Sequence, residues 1–186
     1  ESRGNDNAKG TIYLRNLRSA KATMKYTLKG DVNGEIYHPS MTFFGFRYCE
    51  ISATDDIKIE SLIGEVVGNV NEENSSFSTN NPLVNKLYSN VIWGMRGNFF
   101  SIPTDCPQRD ERLGWMGDTQ IFSRAATYNA DVASFFHKWA KDVLDGQQPD
   151  GSYPSVVPVN WNVGYGRTAW AEAGIIVPWN IYLMYG

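Results

Sequence analysis

The hydrophobic periodicity of this chain changes once, near residues 71–81, and that change limits the folds open to it. Before it the period is two: Met24, Tyr26 and Leu28 fall on one side of an extended segment, with Thr23, Lys25 and Thr27 on the other. Residues 11–14, 22–28, 44–50 and 57–63 read as short strands, with a turn at Gly30-Asp31-Val32-Asn33-Gly34. Residues 71–81 are rich in Asn and Ser and read as a linker. After it the period is helical. Asn81-Pro82 supplies an N-cap and first-turn pair, and Leu83, Leu87, Val91 and Met95 are expected to form one apolar face of a helix ending near Asn98. A second helix is expected from Gly117 or Asp118 to Tyr128, burying Ile121, Phe122 and Ala125. A third carries Val132, Phe135, Phe136, Trp139 and Val143 and stops before Gly146; a fourth spans about 170–185 and contains Pro178. The predicted order is therefore an antiparallel sandwich or sheet over 1–70, a linker over 71–81 and helices over 82–186 that make either a small bundle or part of a larger helical assembly.

Charge narrows the partners. The formal net charge is −3 and no long basic run is present, so neither nucleic acid nor an anionic membrane is an expected partner. No apolar stretch reaches the ~20 residues that cross a bilayer, and residues 1–9 carry no signal-peptide pattern, which leaves localisation open. Cys49 and Cys106 are too few for a disulfide framework and are expected as free thiols. The chain has no HExxH, paired CxxC or EF-hand pattern, so no metal or other cofactor is expected. Aromatic residues make up 13%, and six are Trp; they serve a core, or stack on pyranose rings.

The segment between the first two helices reads TDCPQRDERLGWMGD over residues 104–118. Its Pro and Gly residues oppose a continuous helix, and it gathers four carboxylates, two arginines and a tryptophan. Taken singly, each has an ordinary structural role. Asp118 suits an N-cap, Asp105 an Asx-turn, Trp115 a loop anchor, and Asp110 and Glu111 beside Arg109 and Arg112 a solvated ion-pair cluster. Taken together, they supply what a glycosidase needs: one carboxylic acid to protonate the leaving oxygen, and others to hold hydroxyls.

This string resembles the signature of family 78 glycoside hydrolases, the α-L-rhamnosidases. The likeness extends to Phe44-Gly45-Phe46-Arg47-Tyr48, Asn81-Pro82-Leu83, Gly97-Asn98-Phe99, Asp150-Gly151-Ser152 and the stretch from Trp170 to Trp179. The resemblance implies the end of a β-sandwich domain followed by the first part of an (α/α)6 barrel, and an inverting hydrolase of rhamnose-containing glycosides or polysaccharides. Glu111 then resembles the general acid. Asp105 and Asp118 resemble carboxylates that hold rhamnose hydroxyls, and Trp115 and Trp170 resemble walls of the sugar pocket. Arg109 and Asp110 are expected neighbours, Asp110 raising the acid's pKa by like-charge repulsion.

The chain departs from the family pattern at Ala169-Trp170-Ala171-Glu172, where a Gly-Trp-Gly-Asp run is expected. The family's general base, a glutamate near the end of the barrel, matches no residue here. About four of the twelve barrel helices are expected in this internal piece, and alone it is expected to be inactive. The competing reading is a non-catalytic carbohydrate-binding or interaction module. A cysteine hydrolase built on Cys106 and His137 has no local signature to support it.

Overall fold

The computed structural model describes residues 12–70, 73–160 and 164–186. Backbone contacts divide the chain into two compact units. One takes in Glu1–Gly64 together with Pro107–Asp110; the other takes in Glu65–Cys106 and Glu111–Gly186. The expected strand over 11–14 lies partly outside the described residues.

In the first unit a short 3-10 helix, Arg15–Leu17, is the one regular element among the described residues. The turn at 31–34 is organised by Glu35. One carboxylate oxygen of Glu35 accepts the backbone N–H groups of Lys29, Gly30 and Asp31 at 2.7, 2.8 and 3.2 Å, and the other accepts the Tyr26 hydroxyl at 2.6 Å. That hydroxyl first, then the amides, hold Glu35 below the usual carboxylate range, and the same contact raises the Tyr26 phenol. Gly30 and Gly34 both have positive φ, which the turn requires.

Among the described residues from 12 to 70 none joins a β-ladder, so the expected strand pairing is not seen there. The physical reason is that alternation sorts side chains onto two faces but does not provide a neighbour. An extended segment becomes a strand only when another takes up its N–H and C=O groups. Met24, Tyr26 and Leu28, meant for a covered face, are exposed here.

The second unit is helical. It contains α1 (Pro82–Asn98), a two-residue hairpin of β1 (Phe99–Phe100) and β2 (Ile102–Pro103), then α2 (Met116–Asn129), α3 (Ala133–Asp145) and α4 (Ala173–Tyr185). None of the described helices is long and apolar enough to cross a membrane. α1 starts as the sequence predicts, with the Asn81 side chain accepting from the Leu83 N–H at 3.0 Å and Pro82 in the first turn. Its buried face differs. Ile92 and Met95 are buried and Tyr88 packs on the core, whereas Leu83 and Leu87 are exposed. Four residues advance a helix by about 400°, so a strict fourfold row drifts about 40° per step and leaves the face it began on. The 88-92-95-99 row stays.

α3 buries Phe135, Phe136, Trp139 and Val143. Phe99, at the end of α1, stacks on Phe135 with ring centres 4.6 Å apart and meets Phe136 edge-on at 5.6 Å. This aromatic cluster is the centre of the core. α2 faces the interior with Met116, Thr119, Ser123, Ala126 and Thr127, while Ile121, expected inside, is exposed. Small and hydroxyl side chains allow close approach to α4, and Ser123 accepts a hydrogen bond from the Asn180 amide at 2.9 Å. Gly117 lies beside Trp170 and Ser123 beside Asn180, so α2 and α4 run parallel. Cys49 is exposed and Cys106 buried, both as free thiols.

Candidate active site

The loop between β2 and α2 is closed on itself by hydrogen bonds. The Asp105 N–H donates to Leu113 O at 3.0 Å, and the Leu113 N–H returns to the Asp105 carboxylate at 2.9 Å. Inside that closure the Arg112 N–H reaches the Cys106 sulfur at 3.4 Å. Arg112 adopts a left-handed backbone with φ 51°, which turns the chain sharply just after Glu111. The indole N–H of Trp115 then donates to Glu111 Oε1 at 2.9 Å.

The donor atoms of Asp105, Cys106 and Glu111 lie within 4.8 Å of one another, the one such group close enough to hold a metal ion among the described residues. Each already accepts an N–H of the loop: Leu113 for Asp105, Arg112 for Cys106 and Trp115 for Glu111. Cys106 thus has a structural job within the loop. His137, its partner in the cysteine-hydrolase reading, is exposed on α3.

The far side of the loop is pinned by a distant segment. Trp115 forms an antiparallel bridge with Val156, Val157 N–H donates to Gly114 O at 2.9 Å, and Met116 N–H donates to Ser155 O at 3.0 Å. A Cβ on Gly114 would overlap the Val157 carbonyl oxygen, so only glycine permits this pairing. One turn further, a Cβ on Gly117 would sit 3.1 Å from the indole nitrogen of Trp170. Trp170 therefore lies against the start of α2.

Among the expected site residues, Asp105, Glu111 and Trp115 are brought together, and Trp170 packs on the backbone two residues after Trp115. Asp118 lies exposed in the first turn of α2, where a negative charge suits the helix dipole. It does not cap that helix; Trp115 occupies the N-cap position. Glu172 occupies the N-cap position of α4, and its Oε2 is buried without a hydrogen-bond partner among the described residues.

Arg109 and Asp110 belong to the first unit. There the Gly45 N–H donates to Pro107 O at 3.1 Å, and any Cβ at Gly45 would collide with Pro107. The Asp110 carboxylate accepts the Ser19 hydroxyl, which holds it below the usual range, with help from Arg18. Asp110 was expected to act by like-charge repulsion on the acid. Its carboxylate is held by a hydroxyl donor from 91 residues away. Arg109 is half-buried. Sequence reasoning gave Arg112, Gly45 and Gly114 no part in forming the site, and considered Cys106 only as a nucleophile. For the two glycines no local signal exists, because the need for a missing Cβ arises at Pro107 and Val157.

The chain is similar to proteins of one family. Residues 72–186 match the bacterial α-L-rhamnosidase 6 hairpin glycosidase domain, and residues 5–68 match the bacterial α-L-rhamnosidase concanavalin-like domain. An α-L-rhamnosidase of Streptomyces avermitilis is 47% identical over 181 residues, covering 97% of this chain and 18% of that protein. One from Formosa agariphila is 43% identical over 180 residues, covering 95% and 19%. Among solved structures, the Streptomyces avermitilis α-L-rhamnosidase complexed with L-rhamnose aligns at TM-score 0.57 and 50% identity, over 57% of this chain and 10% of that one. The α-L-rhamnosidase from Dictyoglumus thermophilum aligns at TM-score 0.62 and 44% identity, over 64% and 13%. The chain spans about a fifth of the length of the relatives it matches.

Proposed function

The chain belongs to the bacterial α-L-rhamnosidase family, a concanavalin-like domain followed by a six-hairpin glycosidase domain, and on that premise we propose that it carries the proton donor of an inverting α-L-rhamnosidase. In this reading Glu111 protonates the glycosidic oxygen of a terminal, non-reducing α-L-rhamnosyl group. Asp105 and Asp118 accept hydrogen bonds from the sugar hydroxyls. Trp115 and Trp170 wall the pocket, giving the apolar 6-methyl group of the sugar a surface to bury against. The β-sandwich portion covers 1–70, the linker 71–81, and the barrel begins at 82. The glutamate that activates water lies outside these residues, so this chain alone turns over no substrate.

The observation that carries the reading is the half-buried Glu111 carboxyl, held by the Trp115 indole and within 4.8 Å of the Asp105 carboxylate and the Cys106 sulfur. General acid catalysis needs a carboxyl fixed in place rather than one sampling solvent. Single displacement needs the second carboxylate about 6.5–9.5 Å away, with water between. The test is stereochemical. When the enzyme that carries this chain cleaves an aryl α-L-rhamnoside inside an NMR tube, β-L-rhamnose is expected as the first anomer, before mutarotation. First appearance of the α-anomer would mean retention and would remove the single-displacement mechanism.

A further inference from the structure

We infer that Trp115 is a positioning residue for the proton donor, its indole N–H fixing the plane of the Glu111 carboxyl, in addition to walling the sugar pocket. This rests on Glu111 being that donor. The contact is a direct one, Nε1 to Oε1 at 2.9 Å, and it is made across a loop, not along a helix face. Both ends of it are pinned. On one side the Trp115 backbone is bridged to Val156, its N–H donates to Leu113 O at 2.9 Å, and its carbonyl accepts the N–H and hydroxyl of Thr119. On the other side Glu111 precedes the left-handed turn at Arg112, which the Cys106 sulfur and the Asp105–Leu113 pair hold.

An indole nitrogen donates and never accepts. A neutral carboxyl that takes an N–H takes it on its carbonyl oxygen, so the acidic proton rides on Oε2. The Trp115 contact therefore favours Oε2 as the oxygen that carries the proton and restrains the plane in which it points. A residue that merely lined the pocket would need no such donor; phenylalanine would serve.

The experiment compares the parent enzyme with Trp115→Phe, which keeps a flat apolar face and removes the N–H. A second variant replaces Trp115 by benzothienylalanine, whose sulfur takes the place of the indole N–H at nearly unchanged shape. On an alkyl α-L-rhamnoside, kcat is expected to fall by about 10- to 100-fold in both, the scale set by a misplaced catalytic group. On 4-nitrophenyl α-L-rhamnoside, whose leaving group needs little protonation, the fall in kcat is expected to be about tenfold smaller than on the alkyl rhamnoside in both variants, whatever common loss the altered pocket wall imposes on the two substrates. Equal losses on the two substrates, or none on the alkyl rhamnoside, would overturn the inference. Glu111→Gln is assayed alongside. If that variant shows no dependence on the leaving group, the assignment of Glu111 itself is wrong. If it does and the Trp115 variants do not, only the positioning role is lost. Should Trp115→Phe fail to fold, the benzothienylalanine enzyme decides alone.

Discussion

Glu111→Gln is expected to reduce kcat on rhamnosides with poor leaving groups by about 10²- to 10⁴-fold, the usual worth of a positioned general acid. In free energy that is about 3–5 kcal/mol of the barrier. Glutamine keeps the length of the side chain, and its amide oxygen can still accept the Trp115 indole N–H that now reaches Glu111 Oε1 at 2.9 Å. What it lacks is a proton to give. Aryl rhamnosides that leave as stabilised phenolates should therefore lose less than about tenfold, since they need little protonation. Steady-state rates on a matched pair of substrates check the result. Equal loss on both would assign Glu111 a binding or structural role.

Gly114→Ala should be the most damaging small substitution in the helical unit. The new methyl group meets the Val157 carbonyl, which is backbone and cannot rotate away. To admit it, the loop must part from the 155–157 segment, where Val156 and Val157 are almost fully buried. That breaks the Val157-to-Gly114 and Met116-to-Ser155 hydrogen bonds, worth about 1 kcal/mol each, and adds about 1–3 kcal/mol of overpacking. A total of several kcal/mol is a large share of ordinary domain stability. The thermal midpoint is expected to drop by about 10 °C or more. Gly94→Ala is the contrast. Gly94 sits inside α1 with nothing within 4 Å of an added Cβ, so alanine there should stabilise by about 0.5–1 kcal/mol. Differential scanning calorimetry of the two variants separates the cases, and a midpoint unchanged in Gly114→Ala would refute the proposed closure of the loop.

How much of this was legible in the sequence depended on how local the cause was. The start of α1 was legible because Asn81 and Pro82 act on the very next turn. The end of α3 was legible because Gly146 follows it directly. The apolar face of α1 was misread by eye-catching fourfold spacing, and the true face includes Phe99, just past the helix end. The inward face of α2 could not be read from hydrophobicity, since Thr119, Ser123 and Thr127 are polar and are buried because α4 brings Asn180 and close packing. In the first 70 residues alternation was present, but a ladder depends on partners that no single segment contains.

The site divides the same way. Asp105, Glu111 and Trp115 stand within one motif, and their meeting follows from a loop closed on itself. Trp170 packs beside them only because Gly117 leaves room, and Asp110 takes its hydroxyl donor from Ser19, 91 residues away. Long-range contacts of this kind leave no trace in spacing. A motif names the participants; packing decides who touches whom.

The central claim is tested most directly by a crystal structure of the Glu111→Gln enzyme with an uncleaved alkyl α-L-rhamnoside bound. One terminal atom of residue 111 is expected at about 2.6–3.2 Å from the glycosidic oxygen, while the other accepts the Trp115 indole N–H. A sugar seated elsewhere, or a side chain at 111 directed into solvent with its indole contact gone, would contradict the account.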